Sequence, residues 1–236
     1  VYKRQEFEGR LKNVREEMAT RGYDALLVFS PENMYYLTGY WTIGYYSHQS
    51  LILPQNDEPI LIVRLNEKMN ATHGSLVKRL YTWADYEDPL KTMAEALVEE
   101  DLGGKVVGVE TDSWTSRMTP HSFEGLKAAA RGIKFRPLGP ISSGIIERLR
   151  LIKSKEEIEC VRKAARLSCE TMRKGLDAVE EGANDRDIAS EVCRALVASG
   201  SECPASWPFV VGGPRSGWSH AYWQSRVLQR RDLVFF

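Results

Sequence analysis

His220 is the residue whose type and setting best suit chemistry. It stands in Gly212-Gly213-Pro214-Arg215-Ser216-Gly217-Trp218-Ser219-His220-Ala221-Tyr222-Trp223, a glycine-rich approach that delivers one imidazole among aromatic rings. Imidazole has the unperturbed pKa closest to neutrality, which suits carrying a proton to and from a reacting group. A lone histidine among aromatics is also commonly a packed structural residue, so spacing alone leaves both readings open. Trp218 and Trp223 flank His220 and would line a tight site. A second aromatic stretch, Tyr40-Trp41-Thr42-Ile43-Gly44-Tyr45-Tyr46-Ser47-His48-Gln49, is too aromatic for an ordinary loop. Its rings either pack as core or line a pocket beside His48.

Other catalytic patterns are missing from the sequence. Gly212-Gly213-Pro214 is too short for a phosphate loop, and no Gly-Lys-Ser/Thr follows it. There is no Gly-x-Ser-x-Gly elbow, no His-Glu-x-x-His and no Cys/His set with zinc spacing. The pairs Glu156-Glu157 and Glu180-Glu181 fall at helix starts or turns and read as solvated. His73 reads as a surface residue, and His121 as part of an exposed first helical turn.

The elements that must position His220 are legible from periodicity. Phe7, Leu11, Val14 and Met18 mark one face of a helix closed near Gly22. Ala25 to Phe29 reads as a buried strand, and Ser30-Pro31 as a helix start with Ser30 as cap. Strands are expected at Ser50 to Leu53, Pro59 to Val63, Tyr81 to Trp83, Lys105 to Glu110 and Ile133 to Phe135. Helices are expected in Asn66 to Leu80, after Asp88-Pro89 and after Thr119-Pro120. Such alternation over residues 6–138 indicates an α/β domain. Pro137-Leu138-Gly139-Pro140 then punctuates the chain, and a short helix, Ile141 to Leu149, leads to a second unit. Ser154-Lys155-Glu156-Glu157 has the form of a capping box. Behind it Ile158, Val161, Ala165, Ser168, Met172, Leu176 and Val179 share one face of a long helix. Asn184-Asp185 caps another helix, with Ile188, Val192 and Leu196 inward. Leu233-Val234-Phe235-Phe236 reads as a buried strand. A strand's backbone groups need partners, so the chain reads as a fragment with part of its active site.

The balance of 32 Lys plus Arg against 32 Asp plus Glu argues against electrostatic affinity for nucleic acid or anionic membrane. No apolar run reaches the length of a membrane span, and the first 21 residues are too charged for a signal peptide. The four cysteines, Cys160, Cys169, Cys193 and Cys203, form no Cys-x-x-Cys pair and fit a reducing cytoplasm. Val1-Tyr2-Lys3-Arg4-Gln5 resembles the translated end of a sequencing-library adapter, so residues 1–5 are read as a scar.

Three motifs in order resemble the creatinase, prolidase and aminopeptidase P superfamily. Pro31-Glu32-Asn33-Met34-Tyr35-Tyr36-Leu37-Thr38-Gly39-Tyr40 is similar to its amino-domain signature. Arg150-Leu151-Ile152-Lys153-Ser154-Lys155-Glu156-Glu157-Ile158 is similar to the segment joining that domain to the catalytic one. His220, with Arg226 six residues on and Asp232 twelve on, is similar to the start of the catalytic core. The resemblance implies an α/β creatinase/prolidase-like amino-terminal domain, ribonuclease-H-like, over residues 6–149. It implies the first part of an α+β pita-bread catalytic domain over residues 150–236.

By the same resemblance the complete protein hydrolyses C–N bonds, in Xaa-Pro peptides or in small amides and amidines. His220 would contact substrate and shuttle protons. The peptidase members hold two divalent metal ions on two Asp, one His and two Glu; all five would lie beyond Phe236, leaving no metal ligand and no cofactor site within this chain. Asp232 matches the Asp of a family Gly-Asp turn, but Arg231 stands where Gly is usual, so that turn is expected to be altered. The partners implied are a small peptide or amide substrate and a second copy of the chain. In the homodimer Tyr46 or His48 would approach the neighbour's site, and Tyr46, His48, Trp218 and Trp223 are the substrate-binding candidates. Tyr46-Ser47-His48-Gln49 leans towards the small-molecule hydrolases of the family, such as ectoine hydrolase. A metal-free creatinase-like enzyme and a non-catalytic binding module are the alternatives to an Xaa-Pro peptidase.

Overall fold

The computed structural model describes residues 2–111, 118–139, 144–204 and 206–236. Two compact units divide the chain, Val1–Ile152 and Lys153–Phe236. Val1, and the expected start of a helix at Ile141, lie outside the described residues.

The first unit opens with α1 (Arg4–Arg21), which ends at Gly22 in a left-handed conformation. Strand β1 (Ala25–Val28), α2 (Pro31–Thr38), β2 (Ser50–Pro54) and β3 (Ile60–Arg64) follow. Next come α3 (Lys68–Gly74), β4 (Arg79–Trp83), α4 (Pro89–Glu99), β5 (Val106–Val109), α5 (Pro120–Ala129), β6 (Lys134–Pro137) and α6 (Ile145–Leu151). The six strands form one sheet in the order β4-β3-β2-β1-β5-β6. Strands β1 to β3 are an antiparallel meander, and β4, β5 and β6 each join a neighbour in parallel.

Alternation along β1 sorts its side chains to two cores, as the pleat requires. Leu26 and Val28 join Val14 and Met18 of α1, Met34 and Leu37 of α2, and Ile145 and Ile146 of α6. Ala25 and Leu27 face the other way, onto Met93 and Leu97 of α4 and Leu126 of α5. The sheet is therefore sandwiched between two helical layers, which is why β1, β2 and most of β3 read as continuous apolar runs.

The amino-domain signature acquires a physical account here. Pro31 takes the first helical position of α2, and Gly39 closes it at φ +77°. Ser30 occupies the cap position, but its hydroxyl donates to Glu32 Oε2 at 2.8 Å rather than capping the helix. Glu110, just past β5, instead fixes the chain as it enters α2. Its Oε2 accepts the Phe29 and Ser30 N–H groups at 2.7 and 2.8 Å. Asn33 Nδ2 donates to Glu110 Oε1 and to Glu147 Oε1, both at 2.6 Å, while Asn33 Oδ1 accepts from Arg150 Nη1 at 2.7 Å. One amide thus ties α2, β5 and α6 together. Burial pushes the Glu110 carboxyl up to about 7, against the pull of its three donors.

Arg10, on the inner face of α1, was not legible as a core residue. It is buried, donates to Tyr36 O at 3.0 Å and lies over the Tyr2 and Tyr36 rings at 4.3 and 4.4 Å. Helix α3 occupies only part of the expected Asn66 to Leu80 stretch, whose end becomes strand β4 at the sheet edge.

The second unit holds α7 (Lys155–Asp177), α8 (Asp185–Ala198), β7 (Val211–Gly212) and β8 (Val234–Phe235). The capping box at Ser154 is formed in full. The core of this unit is small: Ile188, Ala189, Val192, Val210 and Leu228. Ile158, Val161, Met172 and Leu176 share a face of α7 as their spacing requires, but all four are exposed. Thr171 and Gly175 are the buried residues of α7. The carboxy-terminal strand was expected to be buried. It is only two residues long and pairs with β7, and Leu233 is 75% and Phe235 49% exposed, because β7 is its one partner among the described residues.

Candidate active site

The segment bearing His220 is held at both ends. At its start, Gly213 has φ +65° and donates its N–H to Leu233 O at 2.8 Å. Its left-handed φ favours glycine, and a Cβ there would push against the Arg226 guanidinium. A short 3-10 turn, Gly213–Gly217, then leads to Trp218. Arg226 is engaged with Asp232 through Nε and Nη2, with three contacts of 2.9 to 3.1 Å. The Gln229 N–H first, and then Arg226, hold the Asp232 carboxyl below its ordinary value. The spacing of Arg226 and Asp232 after His220 thus corresponds to one ion pair packed over Gly213.

Arg231 sits at φ +71°, a left-handed conformation that a side chain disfavours. The turn keeps the shape that glycine would take, with arginine in it. Arg231→Gly is therefore expected to raise stability by about 0.5–1 kcal/mol, the relief of left-handed strain less the extra chain entropy of glycine. A denaturant midpoint that falls, or does not move, would contradict this.

His220 is exposed and itself left-handed, at φ +55°. Its Nδ1 is 3.2 Å from Ser219 Oγ. Phe209 lies 6.0 Å from the imidazole and 5.0 Å from Tyr222, centroid to centroid, and Tyr222 lies 5.6 Å from Trp223. Trp223 packs against the core of this unit. Trp218 is exposed beneath the Arg215 guanidinium at 5.3 Å. Arg215 Nη2 donates to Tyr222 O at 2.9 Å and so cinches the loop across its middle. The Nε and Nη1 atoms of Arg215 are buried without a hydrogen-bond partner among the described residues.

His220 and Trp223 are therefore linked by a run of rings, and Trp218 is held on the same loop by Arg215. Phe209, Arg215, Ser219 and Tyr222 were not singled out from the sequence. Ser219 and Tyr222 could have been, from their places beside His220; Phe209, eleven residues earlier, gave no local signal.

Tyr46 and His48 belong to the first unit. The stretch around them is not plain core: it forms an exposed 3-10 turn, Ile43–Tyr46. Trp41, Ile43 and Tyr46 are 55%, 68% and 63% exposed. The turn is braced from within. Thr42 Oγ1 accepts from Gly44 N–H at 2.8 Å, and Gly44 O accepts from Gln49 Nε2 and Ser47 Oγ at 2.8 and 2.9 Å. His48 is half-buried, and its carbonyl accepts from Trp83 Nε1 at 3.1 Å. Of these aromatics only Tyr40 enters the core; burial, reinforced by Glu67, raises its phenol well above the ordinary value.

Among the described residues no three His, Cys, Asp or Glu side chains converge as a metal site. On the loop that follows His220, Asp185 holds backbone N–H groups and Asp232 holds Arg226. These residues do not fit a divalent-metal centre.

The Creatinase/Prolidase N-terminal domain family matches residues 10–152, and Metallopeptidase family M24 matches residues 159–236. The chain belongs to the creatinase/prolidase family, with an amino-terminal domain of that type and part of an M24 catalytic domain. It is 27% identical to the ectoine hydrolase of Halomonas elongata, over 100% of this chain and 62% of that protein. It is 25% identical to the Xaa-Pro dipeptidase of Pyrococcus furiosus, over 95% of this chain and 58% of that one. The crystal structure of a prolidase from Thermococcus sibiricus shares the fold, with a TM-score of 0.76 at 23% identity, covering 97% of this chain and 60% of that one. The chain thus spans about three fifths of the length of the curated relatives it matches. No helix among the described residues is long and apolar enough to cross a membrane.

Proposed function

We propose that the complete protein is a C–N hydrolase of the Xaa-Pro peptidase type, acting on small peptides, with His220 as its proton carrier. The observation that carries this reading is the conformation of His220. An exposed imidazole held left-handed on a loop tied at its start, middle and end is local strain that packing alone does not require. His220 would take a proton as water adds to the scissile carbonyl carbon, and return it to the nitrogen as the C–N bond breaks. Trp218, Tyr222 and Trp223 would bound the substrate. Divalent ions, where used, would be held by residues beyond Phe236, since the matched relatives are longer.

A second reading is favoured by the similarity to an ectoine hydrolase over this whole chain: a small cyclic amide or amidine as substrate, with no metal. The test is turnover of Xaa-Pro dipeptides against cyclic amides by the complete protein, with and without added divalent metal. Metal-dependent release of proline supports the first reading; metal-independent ring opening moves the assignment to the second. Hydrolysis of neither would favour a non-catalytic binding module. The braced, exposed turn at Trp41 to Tyr46 is the surface on which a second copy of the chain would dock, bringing Tyr46 or His48 to its neighbour's site. A cytoplasmic location is consistent with four unpaired cysteines.

A further inference from the structure

We propose that Asp185 is a positioning residue for His220, holding the far end of the histidine loop through its backbone. The inference rests on the reading of His220 as the proton carrier. Asp185 is the first residue of α8 and has no exposed surface. Its Oδ1 accepts the Arg226 N–H at 3.0 Å and its Oδ2 the Gln224 N–H at 3.4 Å. In return, the Asp185 N–H donates to Arg226 O at 2.9 Å.

Both amides can reach one carboxylate only because the chain turns between them. Ser225 makes that turn at φ +65°, again left-handed and again not glycine. His220 and Ser225 are thus two strained non-glycine positions within six residues. Left-handed residues of this kind persist only where their surroundings over-determine them. Arg215 supplies a middle tie, and Gly213 with Leu233 the near one. Asp185 supplies the far one, and two bonds beyond it extend the anchor along the same pairing. Leu228 N–H donates to Ala183 O at 2.8 Å, and Gly182 N–H to Leu228 O at 2.9 Å.

The chemistry of the side chain is specific. The two N–H groups reach different oxygens of the carboxylate, so asparagine would set its own N–H against one of them. The negative charge also sits at the amino end of α8, where the helix dipole favours it. Asp185 touches neither His220 nor a substrate site directly; it acts through the backbone.

The test compares the complete protein as wild type, Asp185→Asn, His220→Ala and the double variant. Ala-Pro is the probe substrate, and amide hydrogen exchange is followed over residues 218–226. Asp185→Asn is expected to lower kcat about 10- to 100-fold with KM nearly unchanged, as misplacement of a catalytic group does. In the His220→Ala background the same change is expected to cost less than about twofold, since residues acting as a unit are not additive. Exchange over 218–226 is expected to quicken. Should Asp185→Asn not fold, Asp185→Glu keeps both oxygens one methylene further out and is expected to give the same pattern at smaller size. Equal costs in both backgrounds, or unchanged kcat, would overturn the proposal. If His220→Ala keeps full turnover or Ala-Pro is not hydrolysed, the reading of His220 or of the substrate fails instead. Exchange then decides: unchanged protection overturns the role of Asp185, and faster exchange upholds it as the loop's anchor.

Discussion

Replacing His220 by alanine in the complete protein is expected to lower kcat by about 100- to 10,000-fold, the range for loss of a positioned general acid–base group. The loss should fall on kcat rather than KM, because the imidazole serves the step in which the proton moves. Stability should barely change. The side chain is exposed, its hydrogen-bonding contact with Ser219 is exposed, and alanine retains the Cβ that makes the left-handed conformation costly. Thermal unfolding of the variant therefore separates a chemical defect from a folding one. Turnover within a few fold of wild type would remove His220 from the mechanism and leave it as a surface residue beside Phe209.

Glu110→Ala is expected to destabilise the first unit by about 3–5 kcal/mol. It strands the buried Phe29 and Ser30 N–H groups and removes one of the two acceptors of Asn33 Nδ2. Each orphaned buried group costs roughly 1–3 kcal/mol, discounted here because the amino end of α2 can recover some water. Loss of the Glu110 contact also leaves Asn33 held by Glu147 and Arg150 of α6 alone. Glutamine is not expected to rescue fully, since its amide N–H would oppose a donor.

The pH dependence has a definite sign. Burial raises the carboxyl from 4.5 to about 7, so between those values the folded protein holds a proton that the unfolded chain has lost. The stability linked to that proton is complete below pH 4.5 and is lost as pH rises through about 7. Over the whole window the loss amounts to about 3 kcal/mol. The gap between wild type and Glu110→Ala should therefore narrow from pH 5 to pH 8 in urea titrations. A gap that widens would mean that the three donors outweigh burial and keep the group ionised.

How much of this was legible beforehand follows from the range of the interactions. The amphipathic face of α1, the Asp88 and Asn184 caps, the Ser154 capping box and the apolar strands are set within a few residues of chain, and the sequence alone determined them. The three motifs placed the chain in its family, which the matches over residues 10–152 and 159–236 establish. The sequence also marked His220 and the oddity of Arg231 in place of glycine.

Only the tertiary structure decided which polar groups are buried, because their partners are remote. Glu110 meets Phe29 and Ser30 some eighty residues away, and Asp185 meets Arg226 forty-one residues away. No periodicity encodes such pairs. Exposure was undecided for the same reason. The rings from Trp41 to Tyr46 and the stripe on α7 are apolar wherever they lie, and only the packing of other elements determines whether an apolar face is covered. The left-handed backbone at His220 and Ser225 belongs to this class as well. Neither residue type calls for it, and it stands because Arg215, Asp185 and the Arg226–Asp232 pair hold the loop from three sides.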